Sequence, residues 1–332
     1  MINTAIIGYG NWGPVLVKSF TENPNTFISW ICDLDNNRLT LAQNLSRDIK
    51  TTTNYRQITN DKDVELVIIA VPVSSHYRLA VDCLRAGKHV LIEKPMARSS
   101  AEAHEIIETA IKMERIVFVD HILIYTGAVE KIKQLVASNS IGDIYYFDAT
   151  RAAMGLYQND VSVVWDLATH DLAIMDYIIK EKPSAVAAQG AGRLNGRLED
   201  IAFITVQFQS GLIAHFNVSW LSPVKIRRII ISASKKMIVF DDIEDEGKVK
   251  IYDNGVSYSR ELNNYEYRNG DISTANINKE PPLKTEINHI ADCINNNKSP
   301  LVSAAHGLSV IRLLEAAQTS IENGGGFVKI LG

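Results

Sequence analysis

The fold is decided by Ile6-Ile7-Gly8-Tyr9-Gly10-Asn11-Trp12-Gly13, a G-x-G-x-x-G run that follows an apolar stretch and enters a helix-like segment. Gly8 permits a tight strand-to-helix turn, Gly10 lets the backbone approach a pyrophosphate, and Gly13 lets the helix pack closely on the strand. The first N–H groups of such a helix face the phosphate charge. The run therefore predicts a dinucleotide-binding unit, against the alternative of a glycine turn without a ligand.

A carboxylate follows at the spacing that such a unit requires. Twenty residues beyond Gly13, the apolar run 27–32 ends in Asp33, where a carboxylate accepts hydrogen bonds from an adenosine ribose. Because this charge would repel a 2′-phosphate, Asp33 favours NAD over NADP. Arg38 can reach a phosphate or stack on adenine, or it can be a solvated residue of the next helix.

The first 120 residues alternate between strand and helix patterns. Apolar strand-like runs near 2–7, 27–32, 65–71, 88–92 and 115–119 lie between helix-period segments near 12–22, 36–47, 75–86 and 99–113. Near-continuous apolar strands indicate a parallel sheet with helices on both faces. Right-handed crossovers make it doubly wound, with the ligand at the carboxyl edge. We therefore expect an α/β Rossmann domain over residues 1–120.

The pattern changes after residue 120. Helix-like segments near 127–138 and 164–179 flank a strand candidate at 144–149, and strand-like runs follow at 184–192, 200–208, 211–220, 226–233, 236–241 and 248–252. Ser210-Gly211 reads as a hairpin turn between two of them. Residues 253–282 are polar and predict a long loop, before helices near 284–296 and 304–323. We expect a second, α+β domain over 121–332, with an open mixed or antiparallel sheet.

Lys94 lies where a buried strand leaves the first sheet. Two strands end at the carboxyl edge in Val71-Pro72 and in Glu93-Lys94-Pro95, on the nicotinamide side of a bound dinucleotide. A lysine there can donate a hydrogen bond to a substrate hydroxyl, and desolvation can lower its pKa. The alternative, a surface lysine at a strand end, stays open on this segment alone.

A second polar group stands in the later half, in Trp165-Asp166-Leu167-Ala168-Thr169-His170-Asp171. On a helix, Asp166 and His170 are four residues apart and share one face. A carboxylate beside an imidazole favours its protonated form and can orient it for proton transfer. The same pair can instead simply brace the helix. No second His or Cys lies nearby, so we predict no metal.

Together these motifs resemble the glucose–fructose oxidoreductase/inositol dehydrogenase (Gfo/Idh/MocA) family over essentially the whole chain. The resemblance rests on the glycine run, Asp33, Val71-Pro72 with His76, the E-K-P motif at Glu93-Lys94-Pro95, and the D-x-x-x-H motif of Asp166 and His170. It implies that Lys94, Asp166 and His170 are catalytic, that the second domain has an open mixed sheet through which dimers or tetramers form, and that the C-terminal helix packs back near the first domain. The family's usual glycines around D-x-x-x-H are replaced here by Val163-Val164-Trp165 and Ala168-Thr169, which affects the expected substrate shape.

The resemblance extends to members that oxidise the 3-hydroxyl of a UDP-linked N-acetyl-hexosamine in surface-polysaccharide sugar synthesis. On the evidence of Asp33 we expect NAD as cofactor, with NADP the less favoured choice, and we expect no metal. The residues that we expect to contact the cofactor are Gly8, Tyr9, Gly10, Asn11, Trp12, Gly13, Asp33, Leu34, Arg38, Val71, Pro72, His76, Glu93 and Lys94. Those expected at the substrate are Lys94, His121, Tyr125, Arg151, Trp165, Asp166 and His170. Arg151 can bind a diphosphate by a bidentate fork or form a surface salt bridge, and His121 can instead be a core or interdomain histidine.

The expected reaction transfers a hydride between the sugar carbinol and nicotinamide, with His170 and Lys94 both acting on the hydroxyl; the residues leave open which one is the base. The alternatives are an NADPH-dependent ketoreductase, a cyclitol or free-sugar dehydrogenase, and a cofactor-binding regulator without catalysis.

Composition sets the remaining bounds. The 332 residues predict about two domains, and 34 basic against 38 acidic residues leave no basic face for nucleic acid or an anionic membrane. The longest apolar run, 66–73, is too short to span a bilayer, and no secretory signal is visible. Cys32, Cys83 and Cys293 have neither metal-site nor redox spacing. We expect a cytoplasmic enzyme with a small-molecule substrate.

Overall fold

The structure is a computed structural model that describes residues 1–44, 48–155, 157, 160–194 and 196–330. Its chain divides into two units. The first combines residues 1–125 with 280–311, and the second combines 126–279 with 312–332. The chain therefore contributes to the first unit twice, whereas the sequence pattern alone assigned everything after residue 120 to the second domain.

The first unit is built on a six-stranded parallel sheet. Its strands are β1 (Ile2–Ile7), β2 (Thr26–Cys32), β3 (Lys50–Thr52), β4 (Leu66–Ile69), β5 (His89–Glu93) and β6 (Val117–Asp120), in the order β3-β2-β1-β4-β5-β6. Every pair in it is parallel. Residues of β1 and β4 are buried along their whole length, as strands covered on both faces must be. The predicted doubly wound parallel sheet is confirmed.

Among the described residues of 1–125, five helices connect these strands. They are α1 (Gly13–Glu22), α2 (Asn36–Gln43), α3 (Arg56–Asn60), α4 (His76–Arg85) and α5 (Ser100–Met113), with 3-10 turns at Val73–Ser75 and Ile122–Tyr125. The helix expected over 36–47 ends at Gln43, and 45–47 lie outside the described residues. The short elements β3 and α3 were not predicted, because three and five residues are too few to show a period.

The second unit is built on a nine-stranded mixed sheet. Its strands are β7 (Ile144–Ala152), β8 (Pro183–Ala191), β9 (Ile201–Phe208), β10 (Ile213–Ser219), β11 (Ile226–Ala233), β12 (Met237–Asp241), β13 (Val249–Ser259), β14 (Asn264–Thr274) and β15 (Val328–Lys329). The order is β14-β13-β12-β11-β7-β10-β9-β8-β15, in which only the β7–β10 pair is parallel. Helices α6 (Gly127–Ala137) and α7 (Thr169–Ile178) complete this part of the unit. The predicted open mixed sheet is confirmed.

The expected loop over 253–282 is wrong for most of its length. Residues up to Ser259 belong to β13, and β14 pairs with it antiparallel from Asn264 to Thr274. All eleven residues of β14 are exposed, and β13 is buried only at Val249 and Gly255, so most of this hairpin is uncovered. A strand without a buried face carries no apolar alternation, which is why the segment looked like a loop.

Two long helices follow β14 in the chain. They are α8 (Pro282–Asn296) and α9 (Ala304–Glu322). The stripe Leu283, Ile287 and Ile290 of α8 packs in the same core cluster as Ile2 and Leu16 of the parallel sheet and α1, which is why residues 280–311 belong to the first unit. Within the described part of the chain, no helix is long and apolar enough to cross a membrane.

Candidate functional site

The glycine loop between β1 and α1 has the shape that a dinucleotide requires. Gly8 has φ +105°, and a Cβ on it would lie 2.1 Å from the Ala70 carbonyl oxygen; a Cβ on Gly13 would lie 2.7 Å from the Gly8 oxygen. A side chain at either position would collide with backbone. At Gly10 the nearest atom to such a Cβ is 3.6 Å away, on the Arg38 guanidinium. The chain itself thus does not require glycine there, and the space over Gly10 fits a pyrophosphate.

The Asp33 carboxylate is fixed beside this loop. Its Oδ2 accepts a hydrogen bond of 2.7 Å from the Tyr9 backbone N–H, and its Oδ1 accepts one of 2.9 Å from Asp35. One guanidinium nitrogen of Arg38 lies 3.5 Å from Oδ2. Two neutral donors hold the carboxylate at the carboxyl end of β2, and its remaining lone pairs suit ribose hydroxyls. These residues therefore fit a nicotinamide dinucleotide.

The other predicted residues of this loop differ in exposure. Asn11, Trp12 and Leu34 are exposed, Leu34 to 88%. Trp12 caps α1, and its carbonyl accepts the backbone N–H groups of Val15 and Leu16. Because Pro14 has no N–H, the backbone donors available to a phosphate belong to the loop rather than to the second position of the helix.

His76 joins the two strand ends at the nicotinamide side. It is 1% exposed, with Nδ1 2.9 Å from the Pro95 carbonyl oxygen and Nε2 2.8 Å from that of Val71. Both ring nitrogens therefore face backbone, while Pro72 is exposed and Val71 half-buried. The geometry gives His76 the task of bracing the segment that carries Lys94; its predicted direct contact with the cofactor stays a prediction.

Glu93 and Lys94 end β5 beside the end of β6. Glu93 is the register partner of Asp120, and Lys94 follows it, half-buried. Burial, followed by the nearby Asp120, raises the pKa of Glu93 well above its usual range. Lys94 thus lies next to a carboxyl group that resists ionisation.

His121 and Tyr125 lie in the interior of the first unit. They are 2% and 6% exposed. The His121 ring contacts His306 edge-on at 5.5 Å, and Tyr125 lies 5.8 Å from His289, centroid to centroid. Burial, then the nearby His306 and Lys94, holds the pKa of His121 well below its usual value. Their predicted contact with substrate gains no support from this packing.

Trp165, Asp166 and His170 lie where α7 begins. Residues Val164–Ala168 form a π-helical turn that leads directly into α7, where a plain helix was expected. Such widened turns occur often at functional sites. All three predicted side chains are half-buried, so they are reachable, and the Thr169 hydroxyl donates a 2.5 Å hydrogen bond to the Trp165 carbonyl.

Arg151 has a different environment from the one we expected. It leaves β7 with 6% exposure, and its Nε and one terminal nitrogen donate to the two carboxylate oxygens of Asp171, each at 2.8 Å. The Arg151 guanidinium, which was expected to bind a diphosphate, therefore binds the Asp171 carboxylate of the same unit. The geometry assigns Arg151 to holding α7, which begins beside His170, and does not support a diphosphate contact.

Sequence reasoning missed Asp120, Asp171 and Glu286. Glu286 carried a usable signal, because it stands on the apolar stripe of α8 beside Leu283 and Ile287 and is completely buried. A glutamate on a core-facing stripe is expensive and implies a polar neighbour. Among the described residues, no group of His, Cys, Asp and Glu side chains has the geometry to hold a metal ion.

Comparison with known proteins identifies both units. Residues 2–121 match the family model of the GFO/IDH/MocA oxidoreductases with an NAD-binding Rossmann fold, and residues 129–239 match the GFO/IDH/MocA C-terminal domain. The chain is 23% identical to a myo-inositol 2-dehydrogenase of Thermotoga maritima, covering 96% of this chain and 95% of that protein. It is 24% identical to a scyllo-inositol 2-dehydrogenase (NADP(+)) of Bacillus subtilis, covering 96% and 93%.

A solved structure shares the fold over nearly its whole length. It is a UDP-N-acetylglucosamine 3-dehydrogenase from Acidithiobacillus ferrooxidans, 21% identical, with a TM-score of 0.80 and coverage of 97% of this chain and 98% of that one. At this identity the likeness concerns the fold.

Proposed function

Since both units match its models, this chain belongs to the GFO/IDH/MocA oxidoreductase family, and we propose that it oxidises a sugar secondary hydroxyl with NAD. The observation that carries the proposal is the position of the Asp33 carboxylate, which accepts a hydrogen bond from the Tyr9 N–H beside the glycine loop. Lys94 directly follows a strand of the same parallel sheet. A cofactor site and an acid–base group thus share one sheet edge, where α/β folds bind ligands.

Asp33 carries the choice of NAD. Its carboxylate is anionic and faces the position of an adenosine ribose, so a 2′-phosphate would meet a like charge. Arg38, 3.5 Å from Asp33, offers partial compensation for such a phosphate. We expect NAD to bind more tightly, with the preference limited by this arginine.

The residues of this chain divide the acid–base work. When bound, the nicotinamide supplies the acceptor for the hydride of the carbinol carbon. His170 accepts the hydroxyl proton, and Asp166, four residues before it, stabilises the resulting imidazolium. Lys94 donates a hydrogen bond to the same oxygen, which stabilises the charge that develops as the carbonyl forms. Trp165 contributes apolar surface for the sugar ring.

We propose a UDP-linked N-acetyl-hexosamine, oxidised at its 3-hydroxyl, as the substrate, and surface-polysaccharide sugar synthesis as the setting. The enzyme from Acidithiobacillus ferrooxidans, which has this fold, supports it, as does the partly accessible Trp165 at the start of α7. Remote contacts to a uridine diphosphate give binding energy that orients the sugar. The second candidate is cyclitol oxidation, which the two inositol dehydrogenases favour.

We further propose a cytoplasmic homodimer or homotetramer that associates through the nine-stranded sheet. Tyr146 and Ile213 are register partners on β7 and β10 and are 43% and 45% exposed, and Phe203 on β9 is 43% exposed. Large apolar side chains grouped on one sheet are typical of association surfaces.

The test is a substrate panel with NAD and NADP. Purified protein is assayed in both directions with UDP-N-acetylglucosamine, UDP-N-acetylgalactosamine, free N-acetylglucosamine, and myo- and scyllo-inositol. The proposal expects kcat/KM with a UDP sugar and NAD to exceed that with every free sugar by at least about 100-fold, or about 2.7 kcal/mol of transition-state binding. Faster turnover of an inositol would establish the second candidate instead.

A further inference from the structure

Three carboxyl groups converge behind Lys94 inside the first unit. Glu93 ends β5, Asp120 ends β6 as its register partner, and Glu286 enters from α8. Asp120 is 3% exposed and Glu286 is completely buried; Glu93 is partly exposed, but its Oε1 is buried. We call these three residues the buried acid cluster. Burying three acidic side chains from three separate elements at one place costs free energy of folding, so their presence indicates a function.

The cluster lacks well-aligned hydrogen-bond donors, although the Trp12 side chain lies near Asp120. Glu93 Oε1, both oxygens of Asp120 and both oxygens of Glu286 are buried without a hydrogen-bond partner among the described residues. Fully ionised carboxylates accept only, so three of them together would be unsatisfied and mutually repulsive. Protons retained on carboxyl groups provide the missing O–H donors, as in paired catalytic carboxylates.

The environment indicates which group retains the charge. Burial, then the proximity of Asp120, raises the pKa values of Glu93 and Glu286 well above their usual range. Burial also raises the pKa of Asp120, but the close approach of the polar groups of the Glu93, Trp12 and Glu286 side chains opposes that rise. Asp120 therefore sits in the middle, as the acceptor for two protonated neighbours.

Lys94 is the cation that acts on this cluster. It favours the ionised forms of both Glu93 and Asp120. Among the described neighbours, three further titratable groups are held in their neutral forms. Burial, with the nearby His306 and Lys94, holds the pKa of His121 low, so its ring stays neutral, and burial raises the pKa values of the Tyr125 phenol and the Cys293 thiol.

We propose that the buried acid cluster retains two protons at neutral pH and one negative charge, centred on Asp120, beside Lys94. Glu93, Asp120 and Glu286 are then positioning residues behind Lys94, the residue proposed above to donate a hydrogen bond in the reaction. This role rests on the proposed function, while the charge arrangement itself does not.

The protonated groups are directly observable in the cofactor-free protein. Infrared spectra of the full chain at pH 7 should show the C=O stretch of protonated carboxylic acids, and Glu286→Gln should weaken it. The matched control is Glu108→Gln, on the exposed side of α5, which should leave the band unchanged. A wild-type protein without this band at pH 7 overturns the proposal, and no variant needs to fold for that result.

Stability gives a second reading. A carboxyl group with a raised pKa in the folded state contributes stability that is present at low pH and is lost as the pH rises above the unfolded value. Glu286→Gln removes this dependence. We expect the Tm of Glu286→Gln, relative to that of the wild type at the same pH, to increase from pH 5 to pH 9. The Tm difference between Glu108→Gln and the wild type should stay constant over this range. A Glu286→Gln difference independent of pH contradicts retained protons.

A wrong substrate would alter neither of these two results, so failure of the proposed function and failure of this inference are distinguishable.

Discussion

The Arg151 guanidinium and the Asp171 carboxylate form a buried, two-pronged ion pair, with both hydrogen bonds 2.8 Å long and side-chain exposures of 7% and 2%. It joins β7 to the first turn of α7, directly beside His170. Since α7 follows a π-helical turn rather than a continuous helix, this pair holds the first turn of α7, which carries His170. The pair therefore connects the stability of the second unit to its predicted chemistry.

The first prediction concerns this pair. Arg151→Met should reduce the free energy of unfolding by about 3–5 kcal/mol, because it leaves the Asp171 charge buried and unpaired. The double variant Arg151→Met/Asp171→Leu should recover a large part of that loss. Urea denaturation measures both. If Arg151→Met instead weakened binding of a UDP sugar while stability stayed constant, the diphosphate role first expected for Arg151 would be restored.

The second prediction concerns the cofactor. Asp33→Ser should weaken NAD binding and narrow the gap to NADP, because it removes the charge that a 2′-phosphate would meet. Arg38→Ala should have the opposite effect: it should weaken NADP binding and widen the gap between the two affinities. Fluorescence titration with NADH and NADPH gives both dissociation constants. Tighter binding of NADP by the wild type would show that Arg38 outweighs Asp33.

The third prediction concerns catalysis. Lys94→Met and His170→Asn should each lower kcat by about 100-fold or more, the scale of one acid–base group, with NAD affinity nearly unchanged. The double variant should lose much less than the product of the two effects, since both groups act on one oxygen. Near-normal turnover in either single variant would remove that residue from the catalytic group.

The fourth prediction is a pH dependence of stability in the first unit. Burial, followed by the nearby Arg115, lowers the pKa of His89 to about 4, and its Nδ1 accepts a 3.0 Å hydrogen bond from the Ile116 N–H. The unfolded chain binds this proton near pH 6.5. Protonation thus favours unfolding, so the contribution of the neutral ring is complete above about pH 6.5 and is lost as the pH falls towards 4.

His89→Asn tests this dependence, because an amide oxygen can accept the same N–H without titrating. Thermal unfolding of both proteins between pH 8 and pH 4 should give a shallower decline in Tm for the variant below pH 6.5. Parallel declines would assign the acid sensitivity to other groups.

The sequence predicted what periodicity and spacing can encode. The alternating buried strands from β1 to β6 and the β9–β10 hairpin at Ser210-Gly211 follow from apolar patterns and turn chemistry, and both are present. The glycine loop and Asp33 were placed together because a single βαβ unit fixes their spacing, and the Tyr9 N–H now links them.

What the sequence did not predict depends on contacts between distant segments. Arg151 and Asp171 are twenty residues apart, and Asp120 and Glu286 far more, so their proximity is a property of tertiary packing. The hairpin of β13 and β14 was missed for the opposite reason. Within the expected loop, β14 buries no residue and β13 buries only Gly255, so this stretch shows no apolar pattern.

The return of α8 to the first unit has a consequence for biosynthesis. All six strands of the parallel sheet have been synthesised once residue 125 has been made. The core around the sheet also includes the apolar stripe of residues 283–290, and the last residue of the unit is 311. A ribosome adding 5–20 residues per second requires roughly 10–40 s for that interval. During this interval, the side chains that α8 later covers, among them Leu16, are exposed on the nascent chain. We expect chaperones to bind the nascent chain at these side chains.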